Sequence, residues 1–153
     1  MDQLTSGTAK RPVIICLSEA GFLLAQRLAK GIDADTHGHA LRCPQAPHHF
    51  GKARAHIANL FSSGRPIIGI CAAGILIRAV APHLQHKSSD APVLAIAESG
   101  RHVVPLIGGH HGAITLSRTV SELLAAELAM TTAGDVRWRM SLDEPPTGWR
   151  LAN

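Results

Sequence analysis

Four short runs of apolar, mostly β-branched residues limit what this chain can fold into: "VIICL" from Val13, "RPIIGIC" from Arg65, "APVLAIA" from Ala91 and "HVVPLI" from His102. Runs this short, with no polar alternation, read as strands buried on both faces. Such strands need a helix layer above and below. Segments with helical spacing lie between them. Gly21, Leu24, Ala25 and Leu28 share one face, with Ser18 placed to cap the start and Gly31 to end it. Ala53, Ile57, Leu60 and Phe61 repeat the pattern before Gly64, and "AAGILIRAVAPHL" is a third helix that ends near Pro82. Leu116, Val120, Leu123, Leu124 and Leu128 form the clearest amphipathic stripe.

Between the first two helices the pattern weakens. "ADTHGHALRC" holds a short strand, "PQAPHHF" reads as loop, and "AMTTA" is expected to be the last strand. The short link "ESGR" joins two apolar runs as a hairpin. The expected fold is therefore a three-layer α/β/α open sheet, mostly parallel with one hairpin. Residues 1–135 are expected to form this domain, and 136–153 a linker or tail towards a following region. The 153 residues are 46% hydrophobic, enough for one packed core. No apolar run reaches the ~18 residues of a membrane span, and the polar N-terminus lacks a signal core. A cytoplasmic protein is expected. Cys16, Cys43 and Cys71 show no CxxC spacing, so they read as small buried hydrophobes.

The net charge of +4 and the ten histidines favour acidic partners. Nucleic acid is not expected, because the basic residues are dispersed and aromatics make up 3%. In an open α/β sheet, ligands collect where strand ends feed helix starts. Three glycine-bearing joints fit that description: "CLSEAG", "GICAAG" and "IGGHHG". Free amides at helix starts favour anions, so the three suggest one shared anion-binding edge. "GICAAGIL" lacks the Lys and Ser/Thr of a phosphate loop, and no GxGxxG occurs. Adjacent histidines such as His48/His49 or His110/His111 point apart on any regular element. His83/His86 and His37/His39 are better spaced, but no carboxylate or thiolate cluster joins them, so no metal site is expected. His110 sits at a strand-to-helix joint, where a helix start favours the neutral imidazole of a general base. Arg78 lies on a mostly apolar helix and is suited to pairing with a carboxylate; the alternative is a surface arginine. Lys87 and Asp90 flank a polar turn as a solvated pair.

The run from Gly69 to Asp135 carries Ala72-Ala73-Gly74, Arg78 before Pro82, Lys87 with Asp90, Gly100, Gly109-His110 and Thr131-Thr132-Ala133, in that order. This combination resembles the N-terminal domain of the CbiG family of cobalamin biosynthesis, the cobalt-precorrin-5A hydrolases. The likeness extends back to about Pro12 through "LSEAGFLLAQRLA". The resemblance implies a cobalt-precorrin or precorrin substrate, rich in carboxylates, and opening of its ring-A δ-lactone with loss of acetaldehyde. No cofactor is expected. Combined with the joints above, it points to Ala73, Gly74, Arg78, Lys87, Gly108, Gly109, His111 and Gly112 as substrate-binding residues and to His110 as the residue that activates water. A homodimer, or contact with other enzymes of the pathway, is a further expectation. Two positions depart from the family pattern. Ile114 stands where the family has an asparagine, and Asp90-Ala91-Pro92 replaces an Asp-Pro turn. Similar domains also occur fused to precorrin-3B C-17 methyltransferases. That makes a non-catalytic tetrapyrrole-binding or assembly domain the second expectation.

Overall fold

The structure is a computed structural model and describes residues 10–131. Thr132, Ala133 and Asp135 of the motif, and the expected tail over 136–153, lie outside the described residues. The elements follow in the order β1 (Val13–Cys16), α1 (Glu19–Ala29), β2 (Asp35–His39), β3 (His48–Phe50), α2 (Ala53–Ser62), β4 (Ile67–Ile70), α3 (Ala73–Val80), β5 (Val93–Ile96), β6 (His102–Ile107), α4 (Ala113–Leu124) and β7 (Glu127–Leu128). Two 3-10 turns, Ala81–His83 and Gly109–His111, follow α3 and precede α4. One sheet joins all seven strands in the order β3-β2-β1-β4-β5-β6-β7. Only β5–β6 is antiparallel.

Side chains alternate across the central strands. Ile14, Cys16, Ile68 and Ile70 face α1 and α4 with Phe22, Leu28 and Val120. Val13, Ile15 and Ile67 face α2 and α3 with Ile57, Phe61 and Leu76. Every residue of β1 and β4 is buried, and complete burial of each isoleucine contributes roughly 1.5–3 kcal/mol. These are the two helix layers that the apolar runs required. The Ser18 hydroxyl accepts from the Gly21 amide at 3.0 Å, as expected of the α1 cap. At the other end of the sheet, the start of β2 is held by ion pairs. Asp35 bonds Arg11 at 2.7 Å and Arg65 at 2.5 Å, and the Arg65 hydrogen bond holds its carboxyl below the usual range.

Three expectations about elements need correction. "PQAPHHF" ends in β3, whose three residues pair with His37–His39. Among the described residues the last strand is Glu127–Leu128, ahead of "AMTTA". Leu128 consequently leaves the helical stripe, because Ala125 takes a left-handed φ of 52° and ends α4 four residues short. Gly31 follows Lys30, the C-cap of α1, at the expected stop, and its amide donates to the Leu28 carbonyl at 2.9 Å. Among the described residues no helix is long and apolar enough to cross a membrane.

The loop between β6 and α4 needs two left-handed glycines, Gly108 at φ 80° and Gly112 at φ 94°. They differ in their surroundings. A Cβ on Gly108 would lie 2.9 Å from the Pro92 Cα, whereas one on Gly112 would meet nothing within 4 Å. Gly112→Ala should therefore cost about 1–2 kcal/mol of backbone strain. Gly108→Ala should cost about 1–3 kcal/mol more, because the neighbouring backbone must also move. Urea denaturation of the two variants measures the difference, and equal losses would show that the Gly108–Pro92 approach is not tight.

Candidate functional site

From β1 the chain first builds outwards to β2 and β3, then returns to lay β4 on the other side of β1. The loops after β1 and β4 therefore diverge and leave a crevice at the carboxyl edge of the sheet, where open α/β sheets take their ligands. Leu17, Ser18, Arg42, Cys71, Ala72 and Glu98 line this cavity of about 480 Å³. Two helices begin there. Ser18 caps α1, but no side chain caps α3 at Ala72, so the first α3 amides are available to an anion. The Ser18 hydroxyl also donates to the Glu98 carboxylate, which reaches in from the hairpin between β5 and β6. Arg42 arrives on the loop after β2. The next residue, Cys43, anchors that loop by donating its thiol to the Ser18 carbonyl at 3.2 Å. Burial, with the Glu98 charge adding, pushes the Cys71 thiol up to about 11, so it stays neutral and is no nucleophile at neutral pH. The crevice combines anion-binding amides, a guanidinium and a hydrogen-bonded carboxylate able to accept a proton.

The structure divides the residues expected from the sequence between two edges. Ala73 and Gly74 form the first turn of α3 beside the crevice. Arg78 folds back along the helix, and its Nη1 donates to the Gly74 carbonyl at 3.3 Å. Gly108, Gly109, His110, His111 and Gly112 lie at the opposite edge. Because β6 runs antiparallel, its last residue, Ile107, pairs with Val93 at the start of β5. The three glycine-bearing joints therefore do not share one edge; the hairpin that the sequence announced reverses the third. Lys87 is on that opposite side too, exposed on the turn before β5. No Lys87–Asp90 ion pair forms among the described residues. Instead Asp90 accepts from the Gln85 amide at 3.0 Å and closes the turn. His110 is placed by its backbone in the Gly109–His111 turn, and His111 is exposed. Ile114 is 4% exposed and packs inside the protein, so the hydrocarbon at that position fills core. Ser18, Arg42 and Glu98 were missed as site residues. The signal available for them was the switch in strand order at β1, which becomes visible only once β2 and β4 are placed on either side of it.

The histidines do not assemble a metal centre: among the described residues no group of three His, Cys, Asp or Glu side chains is arranged to hold a metal ion. His37 and His56 instead share a hydrogen bond between Nδ1 and Nε2 at 2.8 Å, with His48 and Phe50 packed against them.

Fold and crevice together define the class: a doubly wound α/β domain with a candidate ligand site at its switch point. Within that class the chain belongs to the family described as "Cobalamin synthesis G N-terminal", which matches residues 55–135. It is 34% identical over 132 residues to a cobalt-precorrin-5A hydrolase of Salmonella typhimurium, covering 85% of this chain and 38% of that protein. It is 35% identical over 94 residues to the Priestia megaterium cobalt-precorrin-5A hydrolase, covering 61% of this chain and 25% of that one. The chain thus spans well under half the length of these relatives. The fold matches that of a cobalamin biosynthesis protein G homolog from Sulfolobus solfataricus, with a TM-score of 0.58 and 21% identity over 79% of this chain and 36% of the other.

The histidine pair makes stability depend on pH. Burial, helped by the charges of His56, His48 and Arg65, pushes His37 from 6.5 down to about 4, against a smaller opposing effect of Asp35. The unfolded chain then binds a proton that the folded one refuses, so stability is complete above about 6.5 and falls as pH drops towards 4. The loss should approach about 3 kcal/mol. Urea denaturation at several pH values measures it, and His37→Gln should flatten most of the slope; an unchanged slope would exclude His37 as its source.

Proposed function

We propose that this domain acts in cobalamin (corrin) biosynthesis, holding a carboxylate-rich cobalt-precorrin at the β1/β4 crevice while the ring-A lactone is opened and acetaldehyde is lost. The observation that carries this reading is the meeting of uncapped α3 amides, Arg42 and the Ser18–Glu98 pair at the switch point. Membership of the family and the names of the two hydrolase relatives support the pathway and the reaction class. Arg42 takes a substrate carboxylate. Glu98, oriented by Ser18, accepts the proton of the attacking water as its oxygen bonds to the lactone carbonyl carbon. Amides at Ala73 and Gly74 hold the negative charge that develops on the carbonyl oxygen. The ring C–O bond then breaks, and the proton returns to the leaving alkoxide; acetaldehyde leaves in a following step, when that hydroxyl gives up its proton and the carbon–carbon bond to the macrocycle breaks, its electron pair passing into the conjugated ring.

A second reading puts the chemistry at the opposite edge, with His110 activating water among Gly108, Gly109, His111 and Gly112. The tight seating of Gly108 on Pro92, which fixes that loop against the Lys87 turn, favours it. Acetaldehyde release from cobalt-precorrin-5A separates the two. The crevice reading expects a fall of about 100-fold or more in Glu98→Gln, and little change in His110→Ala. The reverse pattern would move the reaction to the His110 edge. Corrinoid binding with no release in the unaltered protein would leave the non-catalytic tetrapyrrole-binding role instead.

A further inference from the structure

Read along the chain, the basic residues look dispersed; the fold gathers them. No Asp or Glu occurs in residues 36–89, a stretch holding six of the fifteen Lys and Arg and seven of the ten His. That stretch builds β3, β4, and the whole α2/α3 layer. Arg65 is neutralised by Asp35 at the amino edge, and Arg78 returns to its own helix. The side chains of Lys52 and Arg54 make no hydrogen bond or ion pair among the described residues. Both stand over a groove of about 390 Å³ between α2 and α3. Ala55, Ala58, Ala79, Pro82 and His83 complete its lining, and of these Ala58 and Ala79 are buried. The acid nearest in sequence to this rim, Asp90, is occupied by the Gln85 and His86 amides.

We propose that this groove is a second ligand site, separate from the crevice, for a ring-sized molecule carrying several carboxylates. The dimensions and chemistry select that class. A space of a few hundred Å³ with an apolar lining and few polar groups at its rim is the form of a small-molecule pocket. The alanine lining admits a flat hydrocarbon body close to both helices. Lys52, Arg54 and His83 meet carboxylates at its margin, and no acid is among the residues that line the groove. A nucleic acid would find no Phe, Tyr or Trp in this groove on which to stack a base.

The experiment is a titration of the 153-residue chain with uroporphyrin, an octacarboxylate ring, followed by backbone amide shifts in NMR. Saturable shifts at Arg54, Ala55, Ala58 and His83 are expected. Affinity read from those amides should fall about tenfold or more in the double variant Lys52→Gln/Arg54→Gln. The same amides should bind coproporphyrin, with four carboxylates, more weakly. Absence of saturable shifts in the groove would overturn the proposal, as would equal affinity in the double variant or a purine oligonucleotide that moves the same amides at lower concentration. Shifts at Ser18, Cys71 and Ala72 are read separately, so failure of the groove and failure of the crevice are distinguishable.

Discussion

The rest of the structure depends on complete burial of β1 and β4, side by side at the centre of the sheet. Their side chains enter two separate apolar layers, so neither helix layer can be removed without exposing isoleucines. That constraint also creates the candidate site. Adjacent parallel strands whose helices leave to opposite faces must part at their carboxyl ends. The crevice holding Ser18, Arg42, Ala72 and Glu98 is the space left between them.

Much of this was legible in the residues. β-branched runs identified β1, β4, β5 and β6, and the spacing of apolar residues identified all four helices. Ser18 as a cap and "ESGR" as a hairpin were also readable, because each rests on local chemistry. What failed was non-local or locally ambiguous. β3 has three residues, two of them exposed histidines, and carries too little apolar signal to stand out. Ala-Ala-Glu after Leu124 is good helix-forming sequence, and only tertiary pairing of Glu127 and Leu128 with β6 stops α4 there.

The site was harder to read than the fold. Sequence order placed "IGGHHG" beside "CLSEAG" and "GICAAG", since each follows an apolar run. The direction of β6 decides the matter, and one antiparallel pairing moves Gly109-His110 across the sheet. Ile114 likewise gains its meaning from the fold: it departs from the family's asparagine, and its side chain is interior packing. Arg42 and Glu98 have no local signature. They become neighbours only because Cys43 anchors one loop and Ser18 engages the other. The acid-free stretch of 36–89 is visible in the sequence, but its significance depends on one layer of the fold using nearly all of it.

Substrate binding at the carboxyl edge, as proposed, is tested most directly by anomalous diffraction from the cobalt of a bound cobalt-precorrin in crystals of the protein. The anomalous peak is expected over the crevice, beside Ser18, Ala72 and Glu98. A peak beside Gly109 and Lys87, at the opposite edge, would contradict it.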